Sequence, residues 1–273
     1  MIPALKSEFK KLFTIRSTYL FILLALVIVG IYSFYGEGFK DSANLIQTLQ
    51  HKHGPNETAA LSLFIAGTMT VMSHFISLFG GIIALLLITH EYRYNTITYT
   101  LAASNSRSKV LASKLLTVMG FVLVYAVMLA AYGIGMIYLG LHFSHNILPH
   151  QDVNYVTYVG KMLFHAEGYA LAALLFGTLI RNQVGSFAAL IIIPGPVEGL
   201  LTLLLRHDSV YLPFMSLDQV IQAPSVAPVT VNDASTTGYL SPLKGALVFA
   251  SYLIIGWAVA WYLFSRRDAA KQD

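Results

Sequence analysis

The strongest constraint on the fold is a long stretch without formal charge. From Thr58 to Thr89 the chain contains no Asp, Glu, Lys or Arg. A helix of that length crosses the roughly 30 Å hydrocarbon core of a bilayer, for which about 20 apolar residues suffice. Other apolar runs follow, and only 11% of all residues are charged, against about 25% in soluble domains. The sequence therefore predicts an all-α, polytopic membrane protein.

Six spans are predicted within one domain that covers residues 1–273. Their expected ranges are 18–35, 61–89, 115–141, 155–180, 186–205 and 246–264. Residues 206–244 contain four prolines and are expected to form an outer loop with one short helix. Residues 1–15 place apolar side chains at helical spacing opposite lysines, which favours a helix in the membrane interface over a simple charged flank.

Positive charges predict the orientation. Six spans place both termini on one side, and that side receives twelve of the seventeen Lys and Arg residues. The other side receives Lys40, Lys52, Lys161, Arg206 and Lys244. By the positive-inside rule the richer side is cytoplasmic. We interpret the chain as a multi-pass protein of the inner (cytoplasmic) cell membrane, in contact with lipid and not with nucleic acid.

Several kinds of chemistry have no support in the sequence. The chain has no cysteine, which excludes disulfides and Cys-ligated metals. It has no G-x-x-x-x-G-K-[ST] and no convincing nucleophile–base pair within a span, so we expect no enzymatic activity. His142, His145, His150 and Asp152 could ligate a metal, but a solvated, mobile loop is the favoured interpretation. We therefore expect no bound metal or cofactor.

One polar segment, residues 90–114, concentrates positive charge between the second and third spans. Glu91, Arg93, Thr96 and Ile97 follow the second span directly, and Arg107 precedes the third. Here the sequence resembles the permease subunits of type-2 ATP-binding-cassette (ABC) exporters. In that family the second span ends in Glu-x-Arg-x-Gly-Thr and continues into a cytoplasmic coupling helix. The six-span layout is similar as well.

The resemblance implies a function and partners. It implies an exporter permease that works by alternating access, with a second permease chain, identical or paralogous, and a separate ATPase subunit that uses ATP and Mg²⁺. The segment 90–114 would be the coupling segment to that ATPase. Asn95 stands where the family has glycine, and asparagine tolerates the same turn conformations. We expect Glu91 and Arg93 to form ion pairs with other helix ends, including the N-terminal helix; the alternative is an ordinary basic loop.

Three ionisable residues lie within predicted spans, namely His74, Glu167 and Glu198. At about 1.5 Å per residue, each lies roughly 18–22 Å from the cytoplasmic end of its span. Charge at that depth is costly and normally faces a cavity or a partner. One interpretation is a polar ring on the translocation path at a dimer interface. The alternatives are pairing of these groups within the chain and a shallower position of Glu167.

The fifth span contains a second unusual feature. Pro194, Gly195 and Pro196 are expected to break or kink this helix. Gly195 and Gly199 are four residues apart, a spacing that permits close approach of another helix.

Two other function classes remain open at this point. One is an ATP-independent membrane assembly or immunity factor that binds lipid or peptide. The other is a proton-coupled secondary carrier that uses Glu167 and Glu198. Copurification with an ATPase subunit separates the exporter from both, and apolar spans alone do not identify a substrate.

Overall fold

The computed structural model describes residues 2–39, 57–102, 106–143, 155–222 and 240–266. These residues are helical nearly throughout and contain no strand. Six of the described helical stretches are long and apolar enough to cross a membrane. The predicted all-α, polytopic fold is confirmed.

Ten α-helices follow one another in the described part of the chain. They are α1 (Ile2–Thr14), α2 (Arg16–Ile31), α3 (Glu57–Arg93), α4 (Ile97–Ala102), α5 (Arg107–Phe143), α6 (Tyr155–Ile180), α7 (Gln183–Ile192), α8 (Glu198–Leu205), α9 (Pro213–Ile221) and α10 (Pro242–Arg266). Two π-helical segments, Tyr32–Phe39 and Ile193–Val197, extend α2 and join α7 to α8. A 3-10 turn, Arg206–Tyr211, precedes α9.

Helix α3 forms the centre of the bundle. Its side chains from Phe79 to Thr89 are buried, and α3 packs most extensively against α6. Small residues allow this close approach: a methyl group added at Gly177 would lie 2.5 Å from the Ile88 side chain. Apolar side chains gain little by moving from lipid into a helix interface. Helices in a membrane therefore associate through close backbone approach at small residues.

Most predicted spans are shorter than the helical stretches that contain them, and the difference matters at two cytoplasmic-side boundaries of the prediction. The second span continues through Arg93, beyond the expected end at residue 89, and the third begins at Arg107, ahead of the expected residue 115. The predicted spans stop short of the charged residues, because an unpaired charge is costly in an apolar environment. In the structure Glu91 and Lys114 are paired with each other and with α1, so both helices continue through them.

The Pro-Gly-Pro stretch is a π-helical turn rather than a full break. Residues Ile193–Val197 join α7 to α8 without leaving the helical path. A side-chain carbon added at Gly195 or Gly199 would meet nothing within 4 Å. The close approach expected at these glycines is therefore not made by the described residues of a single chain.

The fifth and sixth spans are the most exposed. Only 11% of the apolar window of the fifth span and 17% of that of the sixth are buried, against 78% for the second. Their outer faces are apolar surface that lipid or another membrane chain must cover.

Candidate functional site

Four charged side chains form a closed cluster where α1, α3 and α5 meet. Lys114 Nζ lies 2.7 Å from Glu8 Oε2 and 2.9 Å from Glu91 Oε2. Lys11 Nζ lies 2.7 Å from Glu8 Oε1 and 2.6 Å from Glu91 Oε1. Each ammonium group bridges both carboxylates, so the two positive and two negative charges balance. We call these four residues the charge cluster.

The charge cluster is shielded from solvent on its inner side. The side chain of Lys114 is completely buried, and those of Glu8 and Glu91 are 3% and 6% exposed, whereas that of Lys11 is 34% exposed. Burial lowers the pKa of Lys11, but hydrogen bonds to Glu8 and Glu91 outweigh it and hold the pKa above its ordinary value. Buried ions persist only where partners satisfy them, so the cluster fixes α1 against the ends of α3 and α5.

Local sequence places each member of the cluster. Glu8 and Lys11 are three residues apart on α1 and so share one face. Glu91 lies in the last turn of α3, and Lys114 lies two turns into α5. Thr100 of α4 also joins the cluster, because Lys11 Nζ donates to its Oγ1 at 3.2 Å. The short helix α4 is thereby tied to α1.

The turn from α3 into α4 explains the asparagine in the motif. Thr96 N–H donates to Glu91 O at 3.0 Å, and Asn95 N–H donates to Tyr92 O at 3.3 Å. These are the two hydrogen bonds of a Schellman motif at a helix C-terminus. The motif needs the left-handed conformation at the first residue beyond the C-cap. Asn95 supplies it with φ of 54°. Asparagine therefore takes the conformation expected for glycine at this position.

The residues predicted for coupling occupy different environments. Glu91 pairs with α1, as expected, whereas Arg93 is exposed, and its Nη1 donates to Gln183 Oε1 at 3.2 Å. Glu91 and Arg93 form no ion pair with each other in the described structure. Ile97 is buried and Thr96 is exposed. The half-buried Arg107 begins α5.

A cavity of about 550 Å³ opens beside Arg93. Its lining comes from the end of α3 and from the turn between α6 and α7, including Arg181 and Asn182. Asn182 caps α7 by accepting a hydrogen bond from Gly185 N–H at 2.9 Å. Two guanidinium groups thus border a concave surface at the same end of the bundle as the charge cluster.

A second polar group lies in the opposite half of the bundle. Asp218 Oδ1 lies 3.0 Å from His165 Nε2 and 3.3 Å from His74 Nε2. His165 is buried, and its Nδ1 lies 2.6 Å from Ser77 Oγ and 3.3 Å from Ser73 Oγ. These contacts join α3, α6 and α9. His74 is 19 residues before the end of α3, about 28 Å along the helix.

Sequence reasoning missed His165 and Asp218. Asp218 lies in α9, which agrees with the one short helix expected within residues 206–244, but the sequence did not single out this carboxylate. The available signal was Pro213 at the first helical position followed by apolar residues at helical spacing. Burial raises the pKa of the Asp218 carboxyl, but the contacts with the His165 and His74 imidazoles outweigh it and lower the pKa to about 2. Asp218 is therefore ionised at neutral pH.

The other two ionisable residues have separate environments. Glu198 accepts hydrogen bonds from Phe214 N–H at 2.9 Å and Met215 N–H at 2.8 Å, so it caps the start of α9. Both carboxylate oxygens of Glu167 are buried, and neither has a hydrogen-bond partner among the described residues. His74, Glu167 and Glu198 thus form no direct polar contact with one another in the described structure.

The histidine-rich group after the third span lies only partly within the described residues. His142 lies in the last turn of α5. His145, His150 and Asp152 lie outside the described residues.

Comparison with known proteins assigns no family. No protein-family model matches the chain, and no curated protein matches it. The resemblance to ABC permeases therefore rests on the segment 90–114 and on the order of the spans.

Proposed function

We propose that the chain is the permease subunit of an ATP-driven exporter of the type-2 ABC kind. It moves its substrate outward by alternating access, and a separate ATPase subunit binds ATP and Mg²⁺. The observation that supports this function best is the charge cluster, which locks the ends of α3 and α5 to α1 around the short helix α4.

The charge cluster gives α4 the mechanical connection that a coupling helix needs. A permease without a nucleotide site receives force only through contact with its ATPase. Helix α4 has six residues and lies between two helices of 37 residues each. Because the ends of both long helices are held by buried ion pairs, a push on α4 displaces the membrane helices rather than unfolding the connection.

The docking surface for the ATPase is the exposed surface at the end of the bundle that carries the charge cluster. Arg93 and Thr96 are exposed, and the cationic cavity beside Arg93 is concave. Such a surface suits a protein partner that presents acidic or hydrogen-bonding side chains. The excess of Lys and Arg favours a cytoplasmic location for this end and for both termini, in the inner cell membrane.

A second permease chain completes the proposed exporter. The fifth span is almost uncovered in one chain, and the positions of Gly195 and Gly199 are open. Small residues on an exposed membrane helix permit close contact with a partner helix. Either an identical chain or a paralogue satisfies this geometry, with lipid covering the remaining apolar faces.

The carrier alternative has less structural support. It relied on Glu167 and Glu198 as proton-binding groups within the membrane, and Glu198 is engaged in capping α9. The first test is copurification of the tagged chain with an ATPase subunit from its native membrane. Recovery of the chain without an ATPase would favour the carrier if transport is intact, and the assembly or immunity factor if the chain transports nothing.

Charge reversal at Arg93 tests the coupling surface. We expect Arg93→Glu to leave the chain folded, since Arg93 is exposed and takes no part in the charge cluster. Substrate export by reconstituted complexes should fall at least tenfold, which corresponds to about 1.4 kcal/mol of lost interaction. ATP hydrolysis and complex assembly are measured in parallel.

The matched control is Lys10→Glu, an exposed cation on α1 outside the segment 90–114. It changes the charge by the same amount and should retain export. Normal export from an assembled Arg93→Glu complex would contradict the coupling assignment. So would equal losses from both variants, because that result reports net charge rather than a specific contact.

The proposed orientation has its own test. A reporter fused after Lys271 should be cytoplasmic, and one inserted near Val226 should be outside, because the two points lie on opposite sides of the sixth span. Both positions lie outside the described residues. Reporters that lie on the same side would refute the six-span topology.

A further inference from the structure

We propose that His74, His165 and Asp218 form a binding site for a divalent transition metal of the zinc class. The site lies in the half of the bundle opposite the charge cluster. It lies apart from the proposed coupling segment, because none of its residues belongs to the segment 90–114, although His74 is also one of the residues that the sequence suggests for the translocation path.

The distances between the ligand atoms of the three side chains fit the coordination shell of a metal ion. One ligand atom from each residue lies within 4.8 Å of the others. Zinc binds imidazole nitrogen at about 2.0–2.1 Å and carboxylate oxygen at about 2.0–2.2 Å, so in a tetrahedral shell these two atoms lie about 3.3 Å apart. Asp218 Oδ1 lies 3.3 Å from His74 Nε2 and 3.0 Å from His165 Nε2.

The hydrogen bond of His74 requires a cation beside Asp218. His74 Nδ1 lies 2.8 Å from the carbonyl oxygen of Thr70, which only accepts, so this nitrogen carries the hydrogen. In a neutral ring the other nitrogen, Nε2, then presents a lone pair toward Asp218 Oδ1. Two lone pairs at this distance repel each other unless a positive charge lies between them. That charge is either a metal ion or a second proton.

The surroundings of the two imidazoles favour the metal. Metal-binding histidines almost always use their second ring nitrogen in an outer hydrogen bond, which fixes the tautomer and the ring orientation. His74 has this bond to Thr70 O, and His165 has one to Ser77 Oγ at 2.6 Å. Both rings are therefore held with Nε2 toward the same carboxylate oxygen.

The site also has room for a further ligand. The side chains of His74 and Asp218 are 47% and 35% exposed, whereas His165 is buried. Two imidazoles, one carboxylate and an open position form a donor set that zinc accepts with water as the fourth ligand. A bound ion would join α3, α6 and α9 and hold the short helix α9 on the membrane bundle.

Metal titration of the purified full chain in detergent tests the site. After chelation and dialysis, Zn²⁺ is added in competition with a chromophoric chelator, and Co²⁺ is added separately as a spectroscopic probe. We expect one ion per chain and the intense visible absorption of tetrahedral Co²⁺. His74→Gln and Asp218→Asn should each weaken Zn²⁺ binding at least about a hundredfold, since even outer-shell changes cost 10–100-fold.

Two control variants share the same side of the bundle. His207→Ala and Asp208→Asn change an exposed histidine and an exposed carboxylate close to α9, and both should bind Zn²⁺ as the unaltered chain does. Zn²⁺ should also raise the Tm of the unaltered chain but not that of His74→Gln. Because His74 is half exposed, this variant removes a ligand without opening the core.

Three outcomes would overturn the proposal. The first is an absence of stoichiometric binding to the unaltered chain. The second is equal Zn²⁺ affinity in His74→Gln and in the His207→Ala control. The third is a Co²⁺ spectrum that is indistinguishable from that of the free ion, which would assign the positive charge between His74 and Asp218 to a proton.

Discussion

Replacing Lys114 by methionine should lower the free energy of unfolding by about 3–5 kcal/mol, the usual cost of removing one partner from a buried ion pair. The ammonium group of Lys114 is completely buried and contacts two carboxylates that are themselves almost fully buried. Without it, Glu8 and Glu91 share only Lys11, and one negative charge is left uncompensated. Unfolding of the purified chain in detergent, followed by circular dichroism, measures the effect.

Two matched variants separate burial from charge. Lys109→Met removes an exposed cation five residues earlier on α5 and should change stability by no more than about 0.5 kcal/mol. Lys11→Met removes the other bridging ammonium, which is one-third exposed, so solvent screens part of the loss and the cost should be smaller than at Lys114. Equal effects at Lys11, Lys109 and Lys114 would show that the cluster is not buried as described.

A double variant tests whether the four charges act together. Glu91→Gln with Lys114→Met leaves Glu8 and Lys11 as a balanced pair. We expect the double variant to lose less stability than the sum of the two single changes, by at least about 0.5 kcal/mol, because residues of one ionic network are coupled. Strict additivity would contradict a shared network.

The second large effect is expected at Glu198. Its carboxylate accepts hydrogen bonds from two backbone N–H groups at the start of α9. A hydrogen bond contributes about 0.5–1.5 kcal/mol, and about 1.5–3 kcal/mol where one partner is charged. Glu198→Gln keeps the size of the side chain but offers only one acceptor oxygen, so we expect a loss of about 1–3 kcal/mol. Hydrogen exchange at Phe214 and Met215 should accelerate accordingly.

The same substitution at Glu167 is the matched control. Its carboxylate is buried, but its oxygens accept no hydrogen bond from the described residues. Glu167→Gln replaces this carboxyl by an amide that cannot ionise, at no cost in described contacts, and we expect stability to stay equal or to rise by up to about 1 kcal/mol. A larger loss at Glu167 than at Glu198 would show that capping of α9 contributes little.

The spans could be predicted from sequence because each is a local property. Length and apolar content decide whether a segment crosses a bilayer, and neither depends on distant residues. The turn at Asn95 was predictable for the same reason, since its conformation depends on a few neighbouring backbone groups. The pairing of Glu91 with α1 was expected from the charge pattern.

The other polar contacts between helices were beyond sequence reasoning. Lys114 was counted as a flanking positive charge, and its burial depends on Glu8, which lies 106 residues away. His165 was hidden within an apolar span, and Asp218 lies in a stretch whose prolines indicated a loop. Such contacts depend on how the bundle packs, which hydropathy does not encode.

The charge cluster also has a consequence for the order of synthesis. Glu8 leaves the ribosome 106 residues before Lys114, which at roughly 5–20 residues per second is about 5–20 s. During that interval α1 has no partner for its carboxylate on α5, and the third span cannot bury its lysine alone. Closure of α1 onto both α3 and α5 therefore cannot precede the synthesis of the third span, however early α1 and α3 are made.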